Sequence, residues 1–399
     1  MKNTAAKKPE GELITKGSGE LPRDDARAQN GRRIVILCSH TPSLFWFRMD
    51  MMRAFMEKGW EVIACGNEAE SEWKASFEEQ GIAYRQISVN KNSTNPADDI
   101  RTYRSIKRVL EELKPDKIFT FQAKTVIYGG LAARRLKAGE VYPLIAGIGS
   151  VFLDKSLRIR VALAVMKRAY TAALKKSRLV FFQNKNDVEL FREQGIIKDQ
   201  EVVYLHGSGV NTERFAVLPM PERFGFLCTA RIIRDKGVME YLEASRVIKQ
   251  RHPEVRCMLV GPFDTNPSAV KPEELAPYIE AGVEYFGYQE DVRPYLEQCS
   301  VFVLPSYREG TPKAVLEAMS CGRAIITTDV PGCRETVTDG VNGRLIPAKN
   351  VTELINCMES FIEDPSLAES MGREGRRLAE EVFDVRSVDR VICEAMGID

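Results

Sequence analysis

Two glutamates bracket a Gly-Thr-Pro turn in the stretch YREGTPKAVLEAMSCGRAIITTDVPG, Tyr307 to Gly332. Glu309 falls in the turn, and Glu317 lies on an otherwise apolar helix, an awkward position for a core carboxylate. Thr311 can serve as N-cap, with Pro312 at the first helical position. Helical spacing then sets Lys313 and Glu317 on one face. A carboxylate there can accept hydrogen bonds from two neighbouring hydroxyls, as a ribose diol offers, and Glu309 can accept from the hydroxyls of a sugar. The plainer alternative is a capped helix with one surface Lys-Glu pair. Against it stands the position of Glu317 between Leu316 and Ala318.

A second set of charges precedes this one. The run RFGFLCTA reads as a strand and is followed by RIIRDKG, which puts Arg231 and Lys236 in a loop before a helix. Two cations beside a helix N-terminus suit a diphosphate, because free amides and the helix dipole favour an anion there. A solvated basic loop is the competing reading of the same residues.

Strands and helices alternate so as to position both sets. RRIVILCSH is a continuous β-branched run, as in a parallel strand buried on both faces. FRMDMMRAFMEKG and WEVIACG complete a β-α-β unit. The pattern continues through IRTYRSIKRVLEELKP, DKIFTFQ, YGGLAARRLK, YPLIAGIG, a helix over about 156–176, SRLVFFQN, NDVELFREQG and EVVYLHG. It restarts at RFGFLCTA and runs through VMEYLEASRVIKQRHP, EVRCMLVG, VEYFGY, VRPYLEQC, SVFVLPS, KAVLEAMSCG, RAIITT and GRLIP to the last helices. The spacing predicts two tandem, doubly wound parallel α/β halves, with ligands beyond the C-terminal strand ends and in the cleft between the halves.

Composition narrows the classes. At 399 residues, 44% hydrophobic and 28% charged, the chain reads as a soluble globular protein of two domains. A formal net charge of +1 argues against a dedicated nucleic-acid binder. The nine cysteines are scattered and never spaced as C-x-x-C, and the three histidines, His40, His206 and His252, are far apart. No disulfide framework and no local metal site is therefore expected. The first 30 residues carry no hydrophobic stretch and read as a disordered, mixed-charge tail, which places the expected location in the cytosol. The first β-α turn, SHTPSLFWF, lacks G-x-G-x-x-G, and the chain has no D-x-D, P-loop or G-x-S-x-G.

Taken together, TARIIRDKG, VGP, YFGYQEDV and VLPSYREGTPKAVLEAMSCGRAIITTDVPGCRETVTDGVNGRLIP resemble the retaining glycosyltransferases of family 4, which have the GT-B fold. The segment from Glu309 to Glu317 matches the E-x7-E motif of that family. After the disordered tail over 1–31, the resemblance implies an acceptor-binding Rossmann-like half over 32–215 and a nucleotide-sugar-binding half over 216–383. A C-terminal helix over 384–399 would pack back on the first half.

By the same resemblance, the donor is a UDP-sugar and no other cofactor or metal is needed. Glu317 would hold the ribose, Glu309 would contact the transferred sugar, and Arg231 and Lys236 would neutralise the diphosphate as a metal does elsewhere. The amide N–H groups of Gly310, Thr311 and Lys313, with Pro312 between them, would face phosphate or sugar, with Gly261, Gly287 and Gly209 lining the donor. Retention on one sugar face, with the leaving phosphate assisting deprotonation of the acceptor, needs no enzymic nucleophile.

The first half is less familiar. Where many relatives carry a glycine-rich loop, SHTPSLFWFR supplies aromatics, and where many carry a histidine, Gln122 and Lys124 stand. IAGIGSVF, with Gly147 and Gly149, resembles a loop of bacterial enzymes that extend lipid-diphosphate-linked sugars, which implies a glycan acceptor of that kind. His40 and His206 lie at predicted strand ends, either facing the cleft or as hydrogen-bonded bystanders. The helix over 156–176 is flanked by Lys155, Arg158, Arg160, Lys167, Arg168, Lys175, Lys176 and Arg178, with Asp154 the only acid. It suits the inner face of an anionic membrane, or else a solvated face packing on the sheet through Val161, Leu163, Ala164 and Met166. Two other functions fit two Rossmann-like halves: a UDP-sugar 2-epimerase, and a non-catalytic nucleotide-sugar-binding partner.

Overall fold

The computed structural model describes residues 32–90, 93, 95–146, 157–265 and 268–399, with side chains omitted for 157–162. The expected tail over 1–31 and the pair Gly147 and Gly149 lie outside the described residues.

The first half alternates β1 (Arg33–Leu37), α1 (Thr41–Glu57), β2 (Glu61–Gly66), α2 (Glu70–Glu78), β3 (Ala83–Gln86), α3 (Pro96–Leu113) and β4 (Lys117–Phe121). It continues with α4 (Ala123–Leu136), β5 (Glu140–Ile145), α5 (Leu157–Leu174), β6 (Leu179–Phe182), α6 (Lys185–Glu193) and β7 (Glu201–Tyr204). These seven strands form one parallel sheet in the order β3-β2-β1-β4-β5-β6-β7.

The second half opens with β8 (Gly225–Thr229), a 3-10 turn at Arg234–Lys236, α7 (Val238–Arg251), β9 (Arg256–Val260), α8 (Pro272–Glu280) and β10 (Glu284–Tyr285). Then come α9 (Arg293–Glu297), β11 (Val301–Leu304), α10 (Lys313–Ser320), β12 (Ala324–Thr328), β13 (Gly343–Ile346), α11 (Val351–Glu363), α12 (Ser366–Glu381) and α13 (Val385–Met396). Its six strands are also parallel, in the order β10-β9-β8-β11-β12-β13.

The local chemistry agrees with the element ends. Asn95 caps α3 through Ala97 N with Pro96 behind it, and Asp98 and Asp99 meet the positive end of the helix dipole. Asn184 and Asp384 cap α6 and α13 in the same way. The sequence pass from WEVIACG to the helix of IRTYRSIKRVL skips α2 and β3, which the chain inserts on the sheet edge, and α8 is likewise unforeseen. VEYFGY contributes only the two-residue β10, because the chain turns at Gly287, where φ is 68°.

Three packed clusters flank the first sheet and one fills the second half. The last helix joins the first half: Val388, Ile392, Cys393 and Met396 of α13 pack in the same cluster as Met51, Met52 and Phe55 of α1. All nine cysteines are free thiols, and burial pushes Cys65, Cys228, Cys257 and Cys299 up to about 12, where they stay protonated. Among the described residues no helix is long and apolar enough to cross a membrane.

Strand order fixes where a ligand can enter. Each sheet reverses direction once, between β1 and β4 in the first and between β8 and β11 in the second. At such a point the following loops diverge and leave a crevice beyond the strand ends.

Candidate active site

The loops leaving β8 and β11 carry the charges singled out in the sequence. Lys236, at the end of the 3-10 turn after β8, forms an ion pair with Glu309 of the β11 turn, and both are largely shielded from solvent. Ser306 Oγ donates to the same Glu309 oxygen at 2.8 Å. The backbone ties these loops together as well: Tyr307 N donates to Asp235 O at 2.9 Å, and Glu309 N to Pro331 O at 3.0 Å. Arg231 lies on the outer side, half exposed, with Nη1 donating to Asp264 at 2.8 Å.

Gly261 and Gly287 close the crevice floor. Gly261 N donates to Gly287 O at 2.8 Å, and a Cβ on Gly261 would sit 1.7 Å from Ala230 O, so no side chain fits beside Arg231.

The helix that carries Glu317 begins one residue later than its sequence suggests. Pro312 occupies the cap position with φ −71° and ψ 107°, and Lys313 is the first helical residue. This corrects the expectation of a Thr311 N-cap. The Thr311 hydroxyl is buried with no hydrogen-bond partner, because its side chain faces Gly207, where an added Cβ would come within 2.8 Å of Thr311 Cβ.

Glu317 and Lys313 face one another across a turn of α10. Burial pushes the Glu317 carboxyl above its ordinary range, with Lys313 and Arg214 acting in the opposite sense. Burial pushes the Lys313 ammonium down, and Glu317 pulls it back up. Lys313 also reaches the first half, with Nζ 5.3 Å from the ring centre of Phe47 on α1. The Glu317 carboxylate takes part in no hydrogen bond or ion pair among the described residues, so its acceptor capacity is unspent.

Comparison with known proteins gives the family of each half. Residues 210–378 match the family of glycosyl transferases group 1, and residues 34–184 match the glycosyl transferase 4-like family. Both halves of the chain are glycosyltransferase domains. The transferase is 27% identical over 381 residues to N,N'-diacetylbacillosaminyl-diphospho-undecaprenol alpha-1,3-N-acetylgalactosaminyltransferase of Campylobacter jejuni, covering 90% of this chain and 99% of that one. It is 24% identical over 308 residues to an Escherichia coli UDP-Gal:alpha-D-GlcNAc-diphosphoundecaprenol alpha-1,3-galactosyltransferase, covering 73% of this chain and 78% of the other. Among solved structures, Anabaena HepE in complex with UDP-glucose superposes with a TM-score of 0.73 at 18% identity, over 92% of this chain and 99% of that one. That likeness establishes the GT-B fold.

The remaining sequence candidates separate into two groups. Gln122 of the transferase sits at the switch point of the first sheet, at the end of β4, with φ 73° and ψ 142°, a conformation costly for a residue with a side chain. Its Oε1 accepts from Ser39 N at 2.9 Å, and also from Ser39 Oγ and Cys38 Sγ. Because Ser39 N–H can only donate, the oxygen must face β1, which turns the Gln122 amide nitrogen away from it. His40, at the end of β1, is held through Nδ1 by Ser43 Oγ at 2.8 Å.

Others are engaged elsewhere. Lys124 donates to Ser93 O at 2.7 Å and to Asp99 at 2.8 Å, which anchors the start of α3. Gly209 lies against the first residue of α13, with Val385 Cα 2.6 Å from where its Cβ would be. His206 stands edge-on to Phe383 at 5.7 Å and lines a cavity with residues of α12 and α13.

Several contacts had no sequence signal. Arg308 forms a buried ion pair with Asp187 of α6, and Arg214 lies over the Trp46 and Phe215 rings at 5.8 and 5.6 Å. Gly310 is the tightest point of the seam: a Cβ there would come 2.5 Å from Ala146 O and 2.6 Å from Gln183 Oε1. Gly310→Ala must therefore displace the β11 turn from β5 and β6, and is expected to destabilise the transferase by about 1–3 kcal/mol in denaturant unfolding. Unchanged stability would mean that the seam is loose.

Proposed function

We propose that the transferase moves a hexose or N-acetylhexosamine from a UDP-sugar to a lipid-diphosphate-linked glycan, with retention at the anomeric carbon. The observation that carries the reading is the Lys236–Glu309 pair at the switch point of the second sheet, with Arg231 in the loop after β8 and the unspent Glu317 carboxylate on α10, the helix that follows the β11 turn. This is a cation–carboxylate–carboxylate set of the kind a nucleoside diphosphate sugar requires. The two bacterial relatives named for undecaprenyl-diphosphate-linked acceptors support the acceptor class.

In this reading Glu317 accepts hydrogen bonds from the ribose hydroxyls, and Glu309 accepts from the transferred sugar. Gly261 and Gly287 let the backbone approach the nucleotide. The bond from the sugar C1 to the β-phosphate oxygen breaks, and the acceptor hydroxyl oxygen bonds to C1 on the same face. The acceptor proton passes to the departing phosphate. Charge then grows on that phosphate, and Lys236 and Arg231 are the cations placed to meet it. Both are already balanced by carboxylates, Glu309 and Asp264, so they are held in place before the donor arrives.

The seven-stranded half is assigned to the acceptor, with Gln122 and His40 at its switch point. A peripheral membrane site on α5 fits such an acceptor. One face of that helix packs inward through Tyr170, Ala173 and Leu174, with Met166 and Ala169 partly covered. Ala164, expected on the packed face, is exposed beside Val165, Lys167 and Arg168, because the helix is rotated to bury Tyr170 against Phe191.

Two measurements test these assignments. Purified protein with a panel of UDP-sugars, with and without lipid-diphosphate monosaccharide, should release UDP only when acceptor is present. Lys236→Ala should lower kcat/KM by roughly 10²–10³-fold while the fold is kept. A new UDP-sugar formed without acceptor would point to an epimerase instead. For the membrane face, co-sedimentation with vesicles of anionic lipid should fall in Lys167→Glu/Arg168→Glu. Equal binding of wild type and variant would remove α5 from the account.

A further inference from the structure

The turn after β11 touches the seven-stranded half at Arg308, Gly310 and Thr311. Gly310 rests on Ala146 and Gln183, and Thr311 on Gly207, both by close van der Waals approach. Arg308 adds an ion pair, reaching Asp187 from 121 residues away in sequence.

The pair is built for one geometry. The Asp187 side chain has no exposed surface, and that of Arg308 is 13% exposed. Asn184 accepts from Asp187 N at 2.8 Å and donates its own amide to Asp187 Oδ2 at 3.0 Å. Oδ1 is thereby left to face the guanidinium. Removing two charges from water is costly, and either charge left alone in the seam is worse than the pair. The contact therefore favours one approach of the β11 turn to β6 and α6.

Among the described residues the guanidinium has no other hydrogen-bond partner. Arg308 Nε is buried without a hydrogen-bond partner, so Asp187 and not the surrounding shell fixes where the side chain lies. The residue that follows is Glu309, which holds Lys236. Any shift of Arg308 is passed along the backbone to that pair.

We propose that Arg308 and Asp187 are positioning residues. The pair draws the β11 turn onto the C-terminal edge of the seven-stranded sheet and so sets Glu309 for sugar transfer. Nucleotide binding itself stays with residues of the six-stranded half. The catalytic consequence rests on the function proposed above, while the structural one does not.

The experiment uses the full chain with Arg308→Met, Asp187→Asn, the double variant, and Arg308→Lys as the conservative control. Three readouts are taken: UDP affinity by calorimetry, kcat and KM for acceptor-dependent UDP release, and the radius of gyration by small-angle scattering. Each single variant is expected to lose about 100-fold in kcat, the scale of a 1 Å misplacement, with UDP affinity within about threefold of wild type. The double variant should be no worse than Arg308→Met, and Arg308→Lys should recover part of the loss. Scattering should show both single variants more open than wild type.

Unchanged kcat in both single variants would overturn the proposal. So would losses that multiply in the double variant, or UDP affinity that falls in step with kcat, the mark of general structural damage. Should wild type release no UDP with any acceptor, the functional reading fails by itself. The latch is then decided by scattering, where equal radii in all variants would reject it.

Discussion

Lys236 and Glu309 neutralise one another at the point where the second sheet reverses its strand order, and much of the site is organised around that contact. A parallel sheet must return its chain through helices, and reversing the direction of winding leaves adjacent strand ends without a shared crossover. The loops after β8 and β11 occupy that gap. One brings a cation and the other a carboxylate, and the pair binds the loops together where packing alone would leave them apart. Arg231 precedes the 3-10 turn that carries Lys236, and Glu317 lies on α10, which follows the turn that carries Glu309.

Desolvation gives the site its asymmetry. Lys313 and Glu317 are each pushed toward neutrality by burial and each pulled back by the other. Such a pair is held by its surroundings and gains little stability from its own attraction. A helix optimised for stability would place apolar residues at both positions. That the chain keeps charges here, with an unspent acceptor, fits the polar ligand proposed for the site. Arg214 and the α1 aromatics Trp46 and Phe47 surround the same region with flat cationic and aromatic faces.

Much of this was legible in the residues. Continuous β-branched runs gave the parallel strands, the restart at RFGFLCTA gave the second sheet, and Arg231, Lys236 and Glu309 were visible because charges at strand ends are rarely needed by a core. What stayed hidden depended on long-range contact. Arg308 drew no reading from the sequence because Asp187 of α6 meets it only in the fold, and Gly207 likewise has its partner, Thr311, only there. The Thr311 cap failed for a related reason: local propensity favoured it, but packing against Gly207 removed the hydroxyl from the helix end. Gln122 was marked by its position after a strand, whereas its strained backbone and the orientation of its amide come from Ser39, a neighbour only in the folded sheet. The edge elements α2, β3 and α8 carry weak periodicity and are held by tertiary packing.

The central claim is that the cations at the switch point stabilise a leaving diphosphate while the acceptor enters on the same face of the sugar, with no enzymic nucleophile. Proton NMR of the transfer product, taken early in the reaction with an α-linked UDP-sugar donor, tests it most directly. The account predicts that the new glycosidic bond has the α configuration of the donor. A β-linked product would contradict it, since attack would then come from the opposite face, and a base would have to be found in the seven-stranded half.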